Sequence, residues 1–269
     1  MTGAFRPRAR IEPLYLLFSV FGGLVLLFII APLANMVLHT SYADLTETAL
    51  KPDVRDSIWL TLWTSMAATL ILGVLAVPFS YLLARKSFPF RRLVLAIVDI
   101  PIVIPHSAAG IAILGIISRN SMVGGAAERI GFHFVGGAAG IMVAMAFVSI
   151  PFLINAARDG FAAVPERLEK AALSLGASPT RVFFAVSVPL AWRPIVSGFV
   201  LMWARGLSEF GAVIVVAYHP MVTPVLIYEE FTAFGLQSAR PISVVFIGVC
   251  LVFFIVIRLL AREPKDAVR

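Results

Sequence analysis

Six apolar stretches leave this chain of 269 residues few architectures to choose from. A hydrocarbon layer about 30 Å thick takes roughly 20 helical residues to cross. The stretches near residues 14–38, 57–84, 93–118, 136–157, 190–217 and 241–261 all have that length. In lipid every backbone amide must be paired, either within its own helix or around a closed barrel. The two-residue alternation of a barrel strand is absent, so the sequence predicts an all-α membrane protein of six transmembrane helices. Hydrophobic residues make up 60% of the chain and charged residues 14%, against about a quarter charged in an ordinary soluble domain. The surplus is too large for a core of this size to hide, which makes the bilayer its natural solvent.

The placement of charge predicts orientation. With the N-terminus inside, the inner segments hold 16 of the 22 Lys and Arg residues, the outer segments hold five, and Arg205 falls within a span. Such an asymmetry puts both termini on the cytoplasmic side. The net charge of +7 therefore reads as topology and contact with anionic lipid, not as a nucleic-acid surface, because the basic residues sit at the ends of apolar runs. The first run, Leu14 to Leu38, is too long for a signal-peptide core, so a retained span is expected, its start held inside by Arg6, Arg8 and Arg10. Cys250 is a lone thiol in the last apolar run, which excludes a disulfide framework and reads as packing. Without an internal repeat, low-complexity tract or linker, residues 1–269 read as one transmembrane domain. A short outer helix is expected between Pro224 and Gly235.

The segment from Glu166 to Pro189 breaks the apolar pattern, although a few residues would suffice to join two spans. Pro165 suits a first helical position, and Leu168, Ala171, Ala172 and Leu175 recur at helical spacing. Gly176 supplies the left-handed residue that ends a helix, and Ser178 with Pro179 restarts one. The expectation is two short capped helices around a glycine turn, a loop over 163–180. Its exposed alanines would let another backbone approach, ringed by Glu166, Arg167, Glu169 and Lys170. On pattern alone, an amphipathic helix lying in the membrane interface fits equally well.

Ala171-Ala172, Gly176, Val186, Val188 and Pro189 stand at the spacing of the Glu-Ala-Ala, Gly, Ile-x-Leu-Pro motif. In this the chain resembles the membrane subunits of ATP-binding-cassette importers, over residues 57 to about 261. Lys170 takes the place of the motif's Glu, with Glu169 one residue earlier, and valines replace its larger aliphatics. Asp99–Gly110, Arg205–Ala212 and Ile227–Leu236 are further similar to molybdate and tungstate permeases, especially of archaeal type, with His106 where many bacterial relatives have a second proline. The resemblance implies a homodimer, two ATPase subunits that bind ATP and magnesium, and an extracytoplasmic molybdate/tungstate-binding protein. It implies a coupling helix between spans four and five, whose ATPase contacts are Glu166, Glu169, Lys170, Ala171, Ala172, Leu175, Gly176, Ala177 and Ser178. No cofactor is expected in this chain, which has no Gly-x4-Gly-Lys-Ser/Thr loop to hold a nucleotide and no metal-ligand spacing among its four histidines.

Four ionisable residues inside apolar runs are candidates for a translocation path or gate: Asp99, His106, Arg205 and Glu209. An Arg at the bilayer centre costs about 2.5–3.5 kcal/mol on insertion scales, so it should face the bundle interior. Arg205 and Glu209 stand four apart and can pair on one helix face; an intrahelical pair that only stiffens the span is the plainer reading. Pro101 and Pro105 must break or kink the third run. The plainer reading there is that Asp99 caps a helix end and His106 bonds a carbonyl freed by the break. The sequence-level alternatives are a permease for sulfate or another small oxyanion and, outside the importer class, an integral-membrane enzyme or an ion-driven carrier.

Overall fold

A computed structural model describes residues 13–260, with side chains up to Val256. Arg6, Arg8, Arg10 and the side chains of Arg258, Arg262, Lys265 and Arg269, all used in the charge count, lie outside the described residues, as does the last residue of the sixth run. Every described element is helical: α1 (Pro13–Leu38), α2 (Tyr42–Leu50), α3 (Pro52–Arg85), α4 (Arg91–Val103), α5 (His106–Ile117), α6 (Met122–Arg129), α7 (Ala138–Ala163), α8 (Glu166–Ser174), α9 (Pro179–Val182), α10 (Val188–Leu207), α11 (Gly211–Val216), α12 (Thr223–Phe234) and α13 (Leu236–Leu260). Among these residues five continuous helical segments are long and apolar enough to cross a membrane: α1, α3, α7, the run Pro179–Leu207 and α13. The pair α4 and α5 makes a sixth if its two halves are taken together; they are bent by 113° at Ile104–Pro105. Pro105 lacks the N–H that would continue the ladder, and Pro101 lies within α4.

The fifth run differs from expectation at both ends. The sequence pattern predicts a span over 190–217, with a separate short helix before it. Instead, Ser178 caps a helix that continues from Pro179 to Leu207, so the second half of the polar insert is the first part of the span. Pro189 does not stop it. A π-helical turn at Phe183–Ser187 precedes the proline, and the Val188 N–H donates to the Phe183 carbonyl five residues back. Such a turn is one of the places where a helix absorbs an irregular ladder. The run then ends early: Ser208, Glu209 and Phe210 break the helix, and α11 follows as a short separate element.

α7 packs along both α3 and α10 and forms the centre of the bundle. Towards one end Leu83, Leu153, Ile154, Phe161, Ile195 and Met202 pack together; towards the other, Ile113, Ile141, Met145, Val213, Val216 and Val225 do so. α1 lies at the edge against α13, and none of its residues is buried. α12, the expected outer helix, is fixed to α3 by hydroxyl groups. The Thr223 N–H donates to Thr61 Oγ1 at 2.8 Å, and the two threonine hydroxyls lie 3.1 Å apart, with Ser57 Oγ 3.4 Å from Thr223 Oγ1. α3 therefore reaches from the end of the bundle that carries α12 to the end that carries α8.

Candidate coupling surface and intramembrane polar cluster

At the α8 end, the glycine turn forms as its sequence dictates. Gly176 has φ +87°, in the left-handed region, and an added Cβ would meet nothing within 4 Å. Its N–H donates to the Leu173 carbonyl at 2.9 Å, and the Ala177 N–H donates to the Ala172 carbonyl at 3.1 Å. These two bonds satisfy carbonyls that the last turn of α8 would otherwise leave open. Ser178 accepts from the Arg181 N–H at 3.3 Å and starts the next helix. The turn projects: Leu175 is 88% exposed, and Leu168, Ala171, Leu173 and Gly176 are exposed around it. Ala172 and Ala177 are half-buried, and Pro165 precedes α8 rather than opening it. Lys170 pairs with Glu166 at 2.9 Å, both in solvent, and the lysine holds the Glu166 carboxyl below its usual range.

Glu169 corrects the expectation. It does not ring the projecting patch; it turns inward and is 7% exposed. Arg85, at the end of α3, grips it in bidentate fashion: Nε lies 3.0 Å from Oε1 and 3.1 Å from Oε2, and Nη2 lies 2.8 Å from Oε1. Ser187 Oγ, in the π turn, donates to Oε1 at 2.8 Å, and the Tyr81 hydroxyl donates to Oε2 at 3.2 Å. Arg85 Nη2 also donates to the Val164 carbonyl at 2.8 Å, just before α8. Tyr81 is itself wedged edge-on between Phe161 and Phe183. Burial by itself pushes the Glu169 carboxyl up, but the bonds from Arg85 and Ser187 outweigh it and hold the group below the usual carboxylate range. A buried carboxylate with so many donors is fully satisfied. The partners lie 84, 88 and 18 residues away in sequence, so nothing local announced Arg85, Tyr81 or Ser187 as members of the site.

Deeper in the bundle, the two helix breaks meet. His106 opens α5 directly after the first break, and Glu209 lies within the second. Arg205 Nη2 lies 2.9 Å from Glu209 Oε2 and 2.8 Å from the His106 ring, and His106 Nδ1 lies 3.0 Å from the same carboxylate oxygen. At Oε2 the contacts are ion pairs rather than aligned hydrogen bonds. Glu209 Oε1 accepts from the Ala212 N–H at 2.8 Å, which caps α11, and Glu209 is fully buried. Arg205 Nη1 donates to Ser208 Oγ at 3.3 Å. The side chains of Arg205 and His106 keep 20% and 35% exposure, so one side of the cluster is open. His106 thus faces Arg205 and Glu209 instead of a freed carbonyl. Arg205 Nη2 lies 2.8 Å from both ring nitrogens of His106, so the guanidinium and the ring are in direct contact beside the buried carboxylate.

Glycine makes this meeting sterically feasible. A Cβ on Gly211 would lie 2.7 Å from His106 Cβ and 3.3 Å from the Ser107 backbone nitrogen. One on Gly110 would lie 2.8 Å from Val215 Cβ and 2.9 Å from the Ala212 carbonyl oxygen. α5 and α11 touch because both positions lack a side chain. Gly206, also within the cluster's helix, lies beside Ser65, which at ~1.5 Å rise per residue is about 20 Å along α3 from Pro52 and about 30 Å from Arg85. The cluster therefore sits well inside the bundle. Asp99 is not part of it: its Oδ1 accepts from Asn155 Nδ2 of α7 at 2.7 Å, and it caps no helix end, since α4 continues past it to Val103.

Five continuous helices long and apolar enough to cross a membrane, with a bent sixth pair, define the class as a multi-pass membrane protein. Residues 76–265 match the family described as "Binding-protein-dependent transport system inner membrane component", and the chain belongs to that family. It is 42% identical over 254 residues to the "Molybdate/tungstate transport system permease protein WtpB" of Pyrococcus abyssi, covering 93% of this chain and 96% of that protein. Against the "Probable sulfate transport system permease protein cysT" of Chlorokybus atmophyticus it is 32% identical over 214 residues, covering 78% of this chain and 75% of the other. In fold it is similar to a chain of a bacterial ABC transporter involved in the import of the acidic polysaccharide alginate, with a TM-score of 0.72 at 15% identity, covering 94% of this chain and 96% of that one. The protein is a multi-pass component of the cell membrane that works in binding-protein-dependent transport.

Proposed function

We propose that this chain is the permease of an ATP-driven importer that passes molybdate or tungstate inward by alternating access. Two copies form the pore as single permease domains, each with both termini cytoplasmic. Two ATPase subunits bind ATP and magnesium and carry out hydrolysis, and an extracytoplasmic binding protein delivers the oxyanion. The observation that carries the reading is the projecting turn at Leu175–Gly176 on a helix anchored from behind by a buried ion pair. A helix meant only to lie in the lipid interface would need its apolar face exposed, but not a buried carboxylate tying it to the neighbouring helices.

In this reading α8, with Glu166, Lys170, Ala171, Ala172, Leu175, Gly176, Ala177 and Ser178, meets the ATPase, while Glu169 holds the surface in place. The cluster of His106, Arg205 and Glu209 gates the path, because the bent α4–α5 pair and the α10–α11 break meet there. Discontinuous helices are where membrane transporters commonly make and reorient a solute site. Asp99, bonded to Asn155, positions α4 on α7. The substrate assignment rests on the higher identity and fuller coverage against the molybdate/tungstate relative than against the sulfate one.

The test is reconstitution of the chain in proteoliposomes with its ATPase and binding protein, followed by measurement of ATP hydrolysis and uptake under molybdate, tungstate and sulfate. Stimulation by molybdate and tungstate at micromolar levels supports the proposal. Stimulation by sulfate alone moves the chain to the sulfate permeases. Chemical turnover by the isolated chain, with no ATPase present, refutes an importer role.

A further inference from the structure

The bonds around Glu169 do more than satisfy a carboxylate. They join three separate elements at one point: α8 through Glu169 itself, the end of α3 through Arg85 and Tyr81, and the start of the fifth span through Ser187 in the π turn. Arg85 adds a fourth tie to the Val164 carbonyl, at the hinge between α7 and α8. The packing of α8 is otherwise slight. Most of its residues are exposed, Glu169 is the one residue within it that is buried, and its main backbone contacts are with the short α9 and the π turn. A nine-residue helix with so little packing would be marginal by itself. A force applied to the projecting turn would tilt it locally unless something passed the load inward.

We propose that Arg85, Glu169 and Ser187 are positioning residues that make α8 move as one body with α3 and the fifth span, so that displacement of the turn becomes reorientation of the bundle. This rests on the reading of α8 as the ATPase contact. The side chains of Arg85 and Glu169 are 8% and 10% exposed, so the joint is dry and its charge–charge bonds are little weakened by water or salt. The bidentate guanidinium fixes orientation as well as distance, which a single hydroxyl or amide bond would not. The π turn belongs to the same device: Ser187 reaches the carboxylate from the irregular stretch that also accommodates Pro189. Arg85, Glu169 and Ser187 lie behind the exposed face, which Arg85 reaches through its charge on Glu166, so their replacement leaves the projecting side chains themselves in place.

The experiment uses the complex reconstituted with its ATPase and binding protein, with molybdate and tungstate as probes. It compares wild type with Glu169→Gln, Ser187→Ala and the double variant Arg85→Met with Glu169→Met. The double variant keeps the volume of the joint without leaving a buried charge unpaired, a replacement that buried pairs often tolerate. Complex yield and ATP hydrolysis should stay near wild type, while anion uptake per ATP hydrolysed falls about tenfold in Glu169→Gln and in the double variant, and by less in Ser187→Ala, within the usual range of coupling between sites. Unchanged uptake per ATP in the assembled variants overturns the proposal. Failure of both charge-removing variants to assemble also overturns it, because the pair would then only hold the fold. If the wild-type chain itself binds no ATPase, the proposed function fails first, and the inference fails with it.

Discussion

The projecting turn can be tested at a single atom. Gly176 has φ +87°, and a Cβ placed there has open space around it, so substitution at this position meets no clash. Any effect must come from the backbone. A left-handed conformation costs an ordinary L residue roughly 1–2 kcal/mol, and a β-branched one sits at the upper end. Asn tolerates it better, because its short polar side chain can bond locally. At about 1.4 kcal/mol per factor of ten, Gly176→Val should reduce the population of the native turn about thirtyfold and Gly176→Ala about fivefold. Gly176→Asn should stay within about twofold. The anchor at Glu169 lies on the other face of α8, so membrane insertion and bundle stability should not change. The measurement is the affinity of the purified ATPase for each variant in nanodiscs, with thermal unfolding as the control for integrity. Binding should weaken in the order Gly, Asn, Ala, Val. Equal binding by Val and Gly would refute the idea that the shape of this turn is what the ATPase grips.

Two further outcomes follow from the same geometry. Gly211→Ala places a Cβ 2.7 Å from His106 Cβ, and 3.3 Å from a backbone nitrogen of α5 that has little room to yield. It should destabilise the permease by about 1–3 kcal/mol, read as thermal unfolding in detergent, whereas Gly115→Ala, with nothing within 4 Å, should be neutral. The Glu169 carboxyl is held below its usual range, so its contribution is complete above the unfolded value of about 4.3 and is lost as pH falls through the lower folded value. Hydrogen exchange of residues 166–174 should therefore be protected evenly from neutral pH down to about 4.5 and lose protection below that; persistence of the same acid loss in Glu169→Gln would assign it to another group.

Much of this architecture is visible in single stretches of sequence. The apolar runs mark the membrane-crossing segments and their helical class, the proline pair at 101 and 105 announces the bend, and Gly176 with Ser178-Pro179 marks the turn. Each is a local instruction, written within a few residues of where it acts. The fifth run shows what pattern reading misses. The pattern predicts a span beginning at 190 after a separate short helix, yet a π turn joins the two into one run, and the choice depends on packing that the sequence does not display. Glu169 is misplaced for a related reason. On a helix of nine residues the inward and outward faces are separated by a single position, and its partner Arg85 lies 84 residues away. His106 and Arg205 are 99 residues apart, so each was legible as an ionisable group in an apolar run, but not as a neighbour of the other.

The two ends of α3 are fastened by different chemistry. Near Arg85 the fastening is ionic, and acid can undo it by protonating one carboxylate. Near Thr61 it consists of neutral hydroxyls and one amide, none of which changes charge anywhere in the physiological range. Acid strong enough to protonate Glu169 would therefore loosen α3 at its α8 end while leaving its grip on α12 intact.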